Sequence, residues 1–257
     1  MTKCYHCKKS KKQGKRSRLL SNTFRFHLRL DLAHYFRQIS ISKKKISSAF
    51  KIRGAFNKIA SMDKKLRANG VIAASAGNHA QGVAYSASYF QIPAIIVMPE
   101  ATPLLKVLST KSLGAEVVLH GDNYDESYAK AAQIAKERNL SFIHPFADEE
   151  VIAGQGTIAL EMIEDQDLDY VLVPIGGGGL ISGILSAYKA LKPHTKIIGI
   201  TAKGAPAMRE SFYSKQIHNA KSVRTIADGI AVRDVNVLNF SYICEGVDAI
   251  IEVDDEE

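Results

Sequence analysis

The chain has 257 residues, and its composition places it among ordinary globular proteins. Hydrophobic residues make up 46% and charged residues 23% of the sequence, which excludes a disordered or fibrous chain. No apolar stretch approaches the roughly 18 residues of a membrane span, so we predict no membrane partner. The three cysteines exclude a disulfide scaffold and indicate a reducing compartment, which predicts a cytoplasmic protein.

The net charge of +8 is divided unevenly along the chain. Residues 1–50 hold 14 Lys and Arg against one acid, Asp31, whereas the other 207 residues hold 20 basic and 25 acidic side chains. The excess positive charge therefore belongs to the leader, and we predict no nucleic-acid partner from it. Cys4 and Cys7 lack a second pair at zinc-site spacing, which favours incidental thiols over a metal site. Residues 24–32 alternate apolar and polar, which predicts a strand rather than the helix of a transit peptide.

In chain order, the body alternates short apolar strands with segments of helical spacing. The elements predicted in its first half are Val71–Ala74, His79–Phe90, Ala94–Met98, Leu104–Leu113, Glu116–Leu119, Tyr124–Asn139 and Ser141–Ile143. Those predicted in its second half are Thr157–Ile163, Tyr170–Pro174, Leu180–Leu191, Lys196–Thr201 and Ala249–Val253. Apolar strands separated by helices predict an α/β fold with two parallel sheets, each covered on both faces, and a cleft between them.

Three short segments of the body carry residues suited to ligand chemistry. Lys51 lies beside Phe50 at the predicted start of a helix; such a lysine is ordinarily a surface residue, but a buried one can form an imine with a carbonyl. The segment after Val71–Ala74 combines small residues with the free N–H groups of a helix start, which suits a carboxylate. Within it, Asn78 fits either a helix N-cap or a donor to a ligand oxygen.

The third segment is a run of four glycines, Gly176–Gly179, between a predicted strand and a predicted helix. Four consecutive glycines are costly in entropy, which argues against a plain turn and for a phosphate held by backbone N–H groups. The spacing differs from the G-x-G-x-x-G of dinucleotide sites, and no acidic residue ends a strand about twenty positions on. A lone phosphate is therefore the better interpretation.

Together these segments resemble the pyridoxal-phosphate enzymes of the tryptophan-synthase-β class, and among them the threonine dehydratases (threonine ammonia-lyases). The resemblance runs from about residue 47 to residue 257. It rests on the segments Ser48–Phe56, Ser75–Gly82, Val97–Glu100, Gly154–Thr157, Gly176–Gly179 and Thr225–Val232. It implies the fold of that class, with pyridoxal 5'-phosphate as cofactor and a small amino acid as substrate.

The resemblance implies a role for each matching residue. Lys51 would form the imine with the cofactor, and Phe50 would pack against the cofactor ring. Asn78 would donate to the phenolate oxygen of the ring, while Gly229 would join the glycine loop, Gly176, Gly177, Gly178 and Gly179, in binding the cofactor. The substrate would be bound by the residues of the turn, Ser75, Ala76, Gly77 and His79. The implied reaction is β-elimination of L-threonine to 2-oxobutanoate and ammonia, in isoleucine biosynthesis or threonine catabolism.

Other functions stay open beside this one. A serine dehydratase differs only in the bulk at the substrate β-carbon, and an inactive remnant could still bind the cofactor. Serine racemases carry a hydroxyl at the position of Ala76, so alanine there favours elimination over racemisation. A basic-tailed binding module is the third class, and a homo-oligomer is compatible with any of these.

The resemblance also predicts the domain organisation. Residues 1–45 have no family match, residues 46–66 and 149–257 would form the large cofactor domain, and residues 67–148 the small domain. The family continues with further helices and with a serine that hydrogen-bonds the pyridine nitrogen. We therefore expect a truncated chain with an incomplete large domain.

Overall fold

The computed structural model describes residues 49–257, which form two parallel β-sheets with helices packed against them. The strand predicted at residues 24–32 and the thiols Cys4 and Cys7 lie outside the described residues. Within residues 49–257, no helix is long and apolar enough to cross a membrane. The same range has no cluster of His, Cys, Asp or Glu side chains that could hold a metal ion.

The first sheet has four parallel strands in the order β3-β2-β1-β4. These strands are β1 (Val71–Ala74), β2 (Ala94–Met98), β3 (Glu116–Leu119) and β4 (Ser141–Phe142). The helices that precede and connect them are α1 (Lys51–Ser61), α2 (Lys64–Ala68), α3 (Asn78–Tyr89), α4 (Leu104–Lys111) and α5 (Tyr124–Glu137). Every residue of β1 and β2 is buried, as expected of central parallel strands.

The second sheet has three parallel strands in the order β5-β6-β7. These strands are β5 (Tyr170–Pro174), β6 (Lys196–Ala202) and β7 (Ala249–Val253). The helices of this half are α6 (Glu149–Asp165), α7 (Gly179–Leu191), α8 (Ala207–Ser214) and α9 (Val237–Gly246). A short 3-10 turn also spans Asp228–Ile230.

The α/β fold with parallel sheets is confirmed, but one prediction about its layers is wrong. On β5 the buried residues alternate with exposed ones, and Tyr170 and Leu172 are 62% and 61% exposed. Ile251 of β7 is also 46% exposed. The inward side chains pack in one cluster with α6, α7, α8 and α9, whereas the side chains of the opposite face are exposed on β5 and only partly covered on β6. The second sheet is therefore covered on one face only within residues 49–257.

Helix α6 is the element whose predicted extent differs most from the structure. It begins at Glu149 rather than Thr157, because the Asp148 side chain accepts hydrogen bonds from the N–H groups of Glu150 and Val151 and so caps the first turn. Its glycines lowered the helical signal in the sequence. Helices α8 and α9 were not predicted at all.

The glycines of α6 have a packing role. A Cβ atom at Gly154 would lie 2.7 Å from the Cα of Gly54 on α1, and one at Gly156 would lie 2.8 Å from the carbonyl oxygen of Gly183 on α7. Helices α1, α6 and α7 thus approach one another closely enough to exclude any side chain at these positions. The predicted domain boundaries stay a prediction; α1, which carries Lys51, packs against both α3 and α6.

Candidate active site

Lys51 is the first residue of α1, and its partly buried amino group lies beside a carbonyl rather than a carboxylate. Its Nζ donates a hydrogen bond to the carbonyl oxygen of Pro145 at 3.1 Å and lies 5.6 Å from the centroid of the Phe50 ring. No carboxylate among residues 49–257 forms an ion pair with it. Burial therefore lowers the pKa of Lys51 from 10.5 to about 8, which makes part of the amine neutral and nucleophilic near physiological pH.

The loop between β4 and α6 presents the carbonyl that Lys51 contacts. In this loop the Nδ1 atom of His144 accepts hydrogen bonds from the N–H groups of Phe146 and Ala147, at 3.2 and 2.8 Å. An imidazole that accepts at Nδ1 cannot carry a proton there. Burial accordingly lowers the pKa of His144 from 6.5 to about 4. The neutral imidazole thus fixes the loop on both sides of Pro145.

The glycine loop Gly176–Gly179 connects β5 to α7 and has no room for side chains. Gly178 adopts a φ of +86°, which disfavours any other residue. Cβ atoms at Gly176 and Gly179 would lie 2.9 Å from the Cα of Ile230 and 2.8 Å from the Cβ of Phe146. No residue in 49–257 accepts a hydrogen bond from the backbone N–H groups of residues 176–181. The start of α7 therefore offers a set of free donors to an anion.

A second set of free donors lies at the start of α3. Among the described residues, none accepts from the backbone N–H groups of Asn78, His79 and Ala80. The preceding turn is held by a 3.2 Å hydrogen bond from the N–H of Gly77 to the Ser75 hydroxyl, and a Cβ at Gly77 would meet nothing within 4 Å. This space, bordered by N–H groups, suits a small carboxylate.

The side chains of this turn differ in what they can contact. Asn78 is exposed as the first residue of α3, and the N-cap position belongs to Gly77, so its interpretation as an N-cap is wrong. The His79 imidazole is buried, and its Nε2 donates to the carbonyl oxygen of Ile143 at 2.9 Å. Burial lowers the pKa of His79 from 6.5 to about 3. The imidazole is thus part of the buried core, so His79 can contact a ligand only through its backbone N–H.

The predicted site residues converge because helices α1 and α3 touch. A Cβ at Gly82 of α3 would lie 3.1 Å from the Cα of Ile52 and 3.2 Å from the carbonyl carbon of Lys51. The turn of residues 75–79 and Lys51 are therefore neighbours. The loop through Pro145 and Phe146 then connects Lys51 with the glycine loop, since a Cβ at Gly177 would lie 2.5 Å from the Phe146 ring.

Gly229 lies close to the glycine loop. It is exposed and precedes Ile230, which contacts Gly176. Two ion pairs tie its segment to helices of the first sheet. These pairs join Lys106 to Asp228 at 3.6 Å and Arg233 to Asp125 at 2.8 Å.

Sequence reasoning missed several residues of the site. His144, Pro145 and Phe146 follow a two-residue strand and match no motif that the sequence made visible. Asn239 lies on α9, which was not predicted, yet its side chain contacts the glycine loop. The only feature of the sequence that pointed to this loop was the position of Pro145, directly before the second series of strands and helices.

The chain is similar to known proteins over most of its length. The family described as "pyridoxal-phosphate dependent enzyme" matches residues 43–257. The chain belongs to this family. The predicted cofactor class is thereby confirmed, and so is the fold of the tryptophan-synthase-β class, which the solved structures below share.

Curated proteins similar to this chain are named threonine ammonia-lyases or threonine dehydratases. The chain is 48% identical over 212 residues to the L-threonine ammonia-lyase of Thermotoga maritima, covering 82% of this chain and 53% of that protein. It is 49% identical over 212 residues to the mitochondrial threonine dehydratase of Schizosaccharomyces pombe, covering 81% of this chain and 35% of that one. The chain thus spans about half or less of these relatives.

Solved structures of the family agree with the fold. The processed form of threonine deaminase isoform 2 from Solanum lycopersicum superposes with a TM-score of 0.78 at 40% identity, covering 80% of this chain and 60% of that one. Maize serine racemase gives a TM-score of 0.78 at 37% identity, with coverages of 81% and 63%.

The residues present fit the family cofactor. A phosphate needs several N–H donors and no competing acid, and the free N–H groups at the start of α7 meet that requirement. An aldehyde needs a lysine that can lose its proton, and the pKa of Lys51, lowered to about 8 by burial, provides one. The free N–H groups and the lowered pKa of Lys51 are both properties of the protein without any ligand.

The two histidines with lowered pKa values, His79 and His144, predict acid lability of the fold. Their folded pKa values, about 3 for His79 and about 4 for His144, lie below the unfolded value of 6.5. Between these pH values the unfolded chain binds protons that the folded chain does not, so stability falls as pH falls. We expect a loss of roughly 2–3 kcal/mol between pH 6.5 and 5, measured by urea unfolding. In His144→Asn, whose amide oxygen can replace Nδ1 as acceptor, about half of this loss should disappear; an unchanged slope would contradict the assignment.

Proposed function

We propose that this chain is a pyridoxal-phosphate-dependent lyase that converts L-threonine to 2-oxobutanoate and ammonia. The observation that carries the proposal is a partly buried lysine without a carboxylate partner among residues 49–257, Lys51, close to two separate sets of free backbone N–H donors. The names of the relatives support threonine as the substrate. In the balanced reaction, the α-proton and β-hydroxyl leave as water, and a second water releases ammonia.

The proposal gives each set of residues a task. The N–H groups at the start of α7 would bind the cofactor phosphate, and those at the start of α3 would bind the substrate carboxylate. The cofactor, when bound, supplies an electron sink for the charge that develops at the substrate α-carbon. The exposed amide of Asn78 would donate to the phenolate oxygen of the ring, and Phe50, whose ring centroid lies 5.6 Å from the Lys51 amine, would pack against the cofactor ring.

Lys51 is the general base in this proposal. Its amine, whose pKa burial lowers to about 8, would hold the cofactor in its neutral form and would accept the α-proton of the substrate. Ala76 on the turn of α3 has a methyl group where serine racemases carry a hydroxyl. Proton transfer at the α-carbon is thus confined to the Lys51 face, which favours elimination over racemisation.

The proposal also covers location and partners. A cytoplasmic location fits three cysteines in 257 residues, of which Cys244 is a free thiol. The partner is a small amino acid; neither nucleic acid nor membrane is included, and a homo-oligomer is compatible with the chemistry.

Borohydride labelling tests the cofactor site directly. The purified chain is mixed with pyridoxal phosphate, reduced and digested, and we expect the label on Lys51. The matched control residue is Lys58 on the same helix, which is paired with Asp148 at 2.6 Å. A label on Lys58, or one spread over several lysines, would contradict the assignment of Lys51.

An oxoacid assay with threonine and with serine then tests the reaction. The proposal expects 2-oxobutanoate from threonine at a higher rate than pyruvate from serine. Faster pyruvate formation would indicate a serine dehydratase instead. A label on Lys51 without any oxoacid would indicate a protein that only binds the cofactor.

A further inference from the structure

Asn239 of α9 is a fully buried side chain that joins two parts of the site distant in sequence. Its Nδ2 donates to the carbonyl oxygen of Gly177 at 2.5 Å and to that of Phe146 at 3.1 Å. The first carbonyl belongs to the glycine loop. The second belongs to the loop whose Pro145 carbonyl accepts from Lys51. One amide group therefore links the glycine loop to the loop beside Lys51.

The chemistry of these contacts requires an amide. Two carbonyl oxygens can only accept, so the side chain between them must supply two N–H donors. A hydroxyl supplies one donor, and a carboxylate would present oxygens to oxygens. The Oδ1 atom of Asn239 is buried and has no partner among the described residues. Leaving an acceptor unpaired is unfavourable, so the two donated bonds are the reason for an asparagine at this position.

These bonds also determine where a backbone donor of the glycine loop points. In a trans peptide the C=O and the following N–H point in opposite directions, and the described residues contain no cis peptide. Because the Gly177 carbonyl is directed toward Asn239, the N–H of Gly178 is directed away from α9. That N–H belongs to the set of free donors at the start of α7.

We propose that Asn239 is a positioning residue that orients the Gly178 N–H for the phosphate group of the cofactor. This inference rests on the proposed function, and it adds a residue to the phosphate site that contacts neither the cofactor nor the substrate. Without Asn239, the Gly177–Gly178 peptide can rotate, and phosphate binding loses a directed donor. Binding of the cofactor aldehyde at Lys51 does not depend on that donor.

The experiment compares two ligands that differ only in the phosphate. Dissociation constants for pyridoxal phosphate and for pyridoxal are measured by absorbance of the bound ligand, and borohydride labelling verifies attachment at Lys51. For Asn239→Ala we expect binding of pyridoxal phosphate to weaken about tenfold or more, while binding of pyridoxal changes less than about twofold. Inorganic phosphate should compete with pyridoxal phosphate less effectively in the variant than in the wild type.

Two further variants separate positioning from general destabilisation. Asn236 caps the same helix by accepting from the N–H of Leu238 at 2.9 Å, so Asn236→Ala weakens α9 without touching the glycine loop. It should leave the preference for pyridoxal phosphate unchanged. Asn239→Ser keeps one donor in a smaller side chain and should give an intermediate preference, which keeps the test available if the alanine variant unfolds.

The outcomes distinguish this inference from the proposed function. If the wild-type chain attaches neither ligand at Lys51, the proposed function fails and the inference fails with it. If the wild type prefers pyridoxal phosphate and the Asn239 variants keep that preference, only the inference is overturned. It is also overturned if both ligands weaken equally, or if Asn236→Ala reproduces the effect.

Discussion

Replacing Lys51 with methionine is expected to stabilise the ligand-free protein at neutral pH while abolishing covalent attachment of the cofactor. Burial lowers the pKa of Lys51 from 10.5 to about 8, which corresponds to roughly 3 kcal/mol of cost for the buried charge. Methionine has a similar length and no charge. Removing the buried charge is favourable, but the Pro145 carbonyl loses its hydrogen-bond donor, which is unfavourable. We therefore expect a net gain of about 2 kcal/mol in the free energy of unfolding at pH 7.

The pH dependence identifies the cause of this gain. Below pH 8 the lysine is charged in both the folded and the unfolded state, and the folded state bears the cost of burial. Between pH 8 and 10.5 the unfolded chain holds a proton that the folded chain has lost, so wild-type stability rises with pH there. In Lys51→Met that rise should disappear.

Urea unfolding at several pH values, with and without pyridoxal phosphate, measures both effects. Lys58→Met is the matched control, since this lysine of the same helix pairs with Asp148. It should keep the labelling at Lys51 and the rise in stability above pH 8. A Lys51→Met protein that is less stable than the wild type at pH 7 would contradict this prediction, because it would show that the lysine stabilises the fold.

Replacing Gly183 with alanine is expected to destabilise the protein by about 3 kcal/mol. The new methyl group would lie 2.6 Å from the backbone nitrogen of Gly156 and would also collide with the carbonyl oxygen of Ile152. Both atoms belong to the backbone of α6, which cannot rotate away as a side chain can. Helices α6 and α7 would have to separate, with loss of the packing between them.

The control for this prediction is Gly229→Ala, because a Cβ there would meet nothing within 4 Å. Its free energy of unfolding should change by less than about 0.5 kcal/mol. Both values come from urea unfolding of the ligand-free protein. Equal stability of the two variants would mean that α6 and α7 are not in close contact in solution.

Local features of the sequence were enough to locate most of the proposed site. The turn of residues 75–79 and Gly176–Gly179 stand out because each lies at the junction of an apolar segment and a helical one, whereas Lys51 is singled out by the resemblance to the family. Such junctions follow from periodicity, which is a property of a few consecutive residues. The strands Val71–Ala74, Ala94–Met98 and Tyr170–Pro174 were predicted with the bounds that the structure has.

Helix α6 shows why other features could not be found in this way. Its glycines, Gly154 and Gly156, resemble a loop in sequence because isolated glycine weakens a helix. In the structure they are helical because α1 and α7 lie against them. The stabilisation from this packing depends on residues far along the chain, and helical propensity contains no information about them.

The sequence by itself determined the type of fold through composition and period, which are local. Its short motifs, through their resemblance to the family, determined the cofactor class and predicted the site residues. Only the tertiary structure decided how those residues are held. Asn239 reaches Gly177 across 62 positions of the chain and Phe146 across 93. Likewise, the low pKa of Lys51 arises from burial by elements that surround it. Directed hydrogen bonds and desolvation depend on distances in space, which local sequence patterns do not specify.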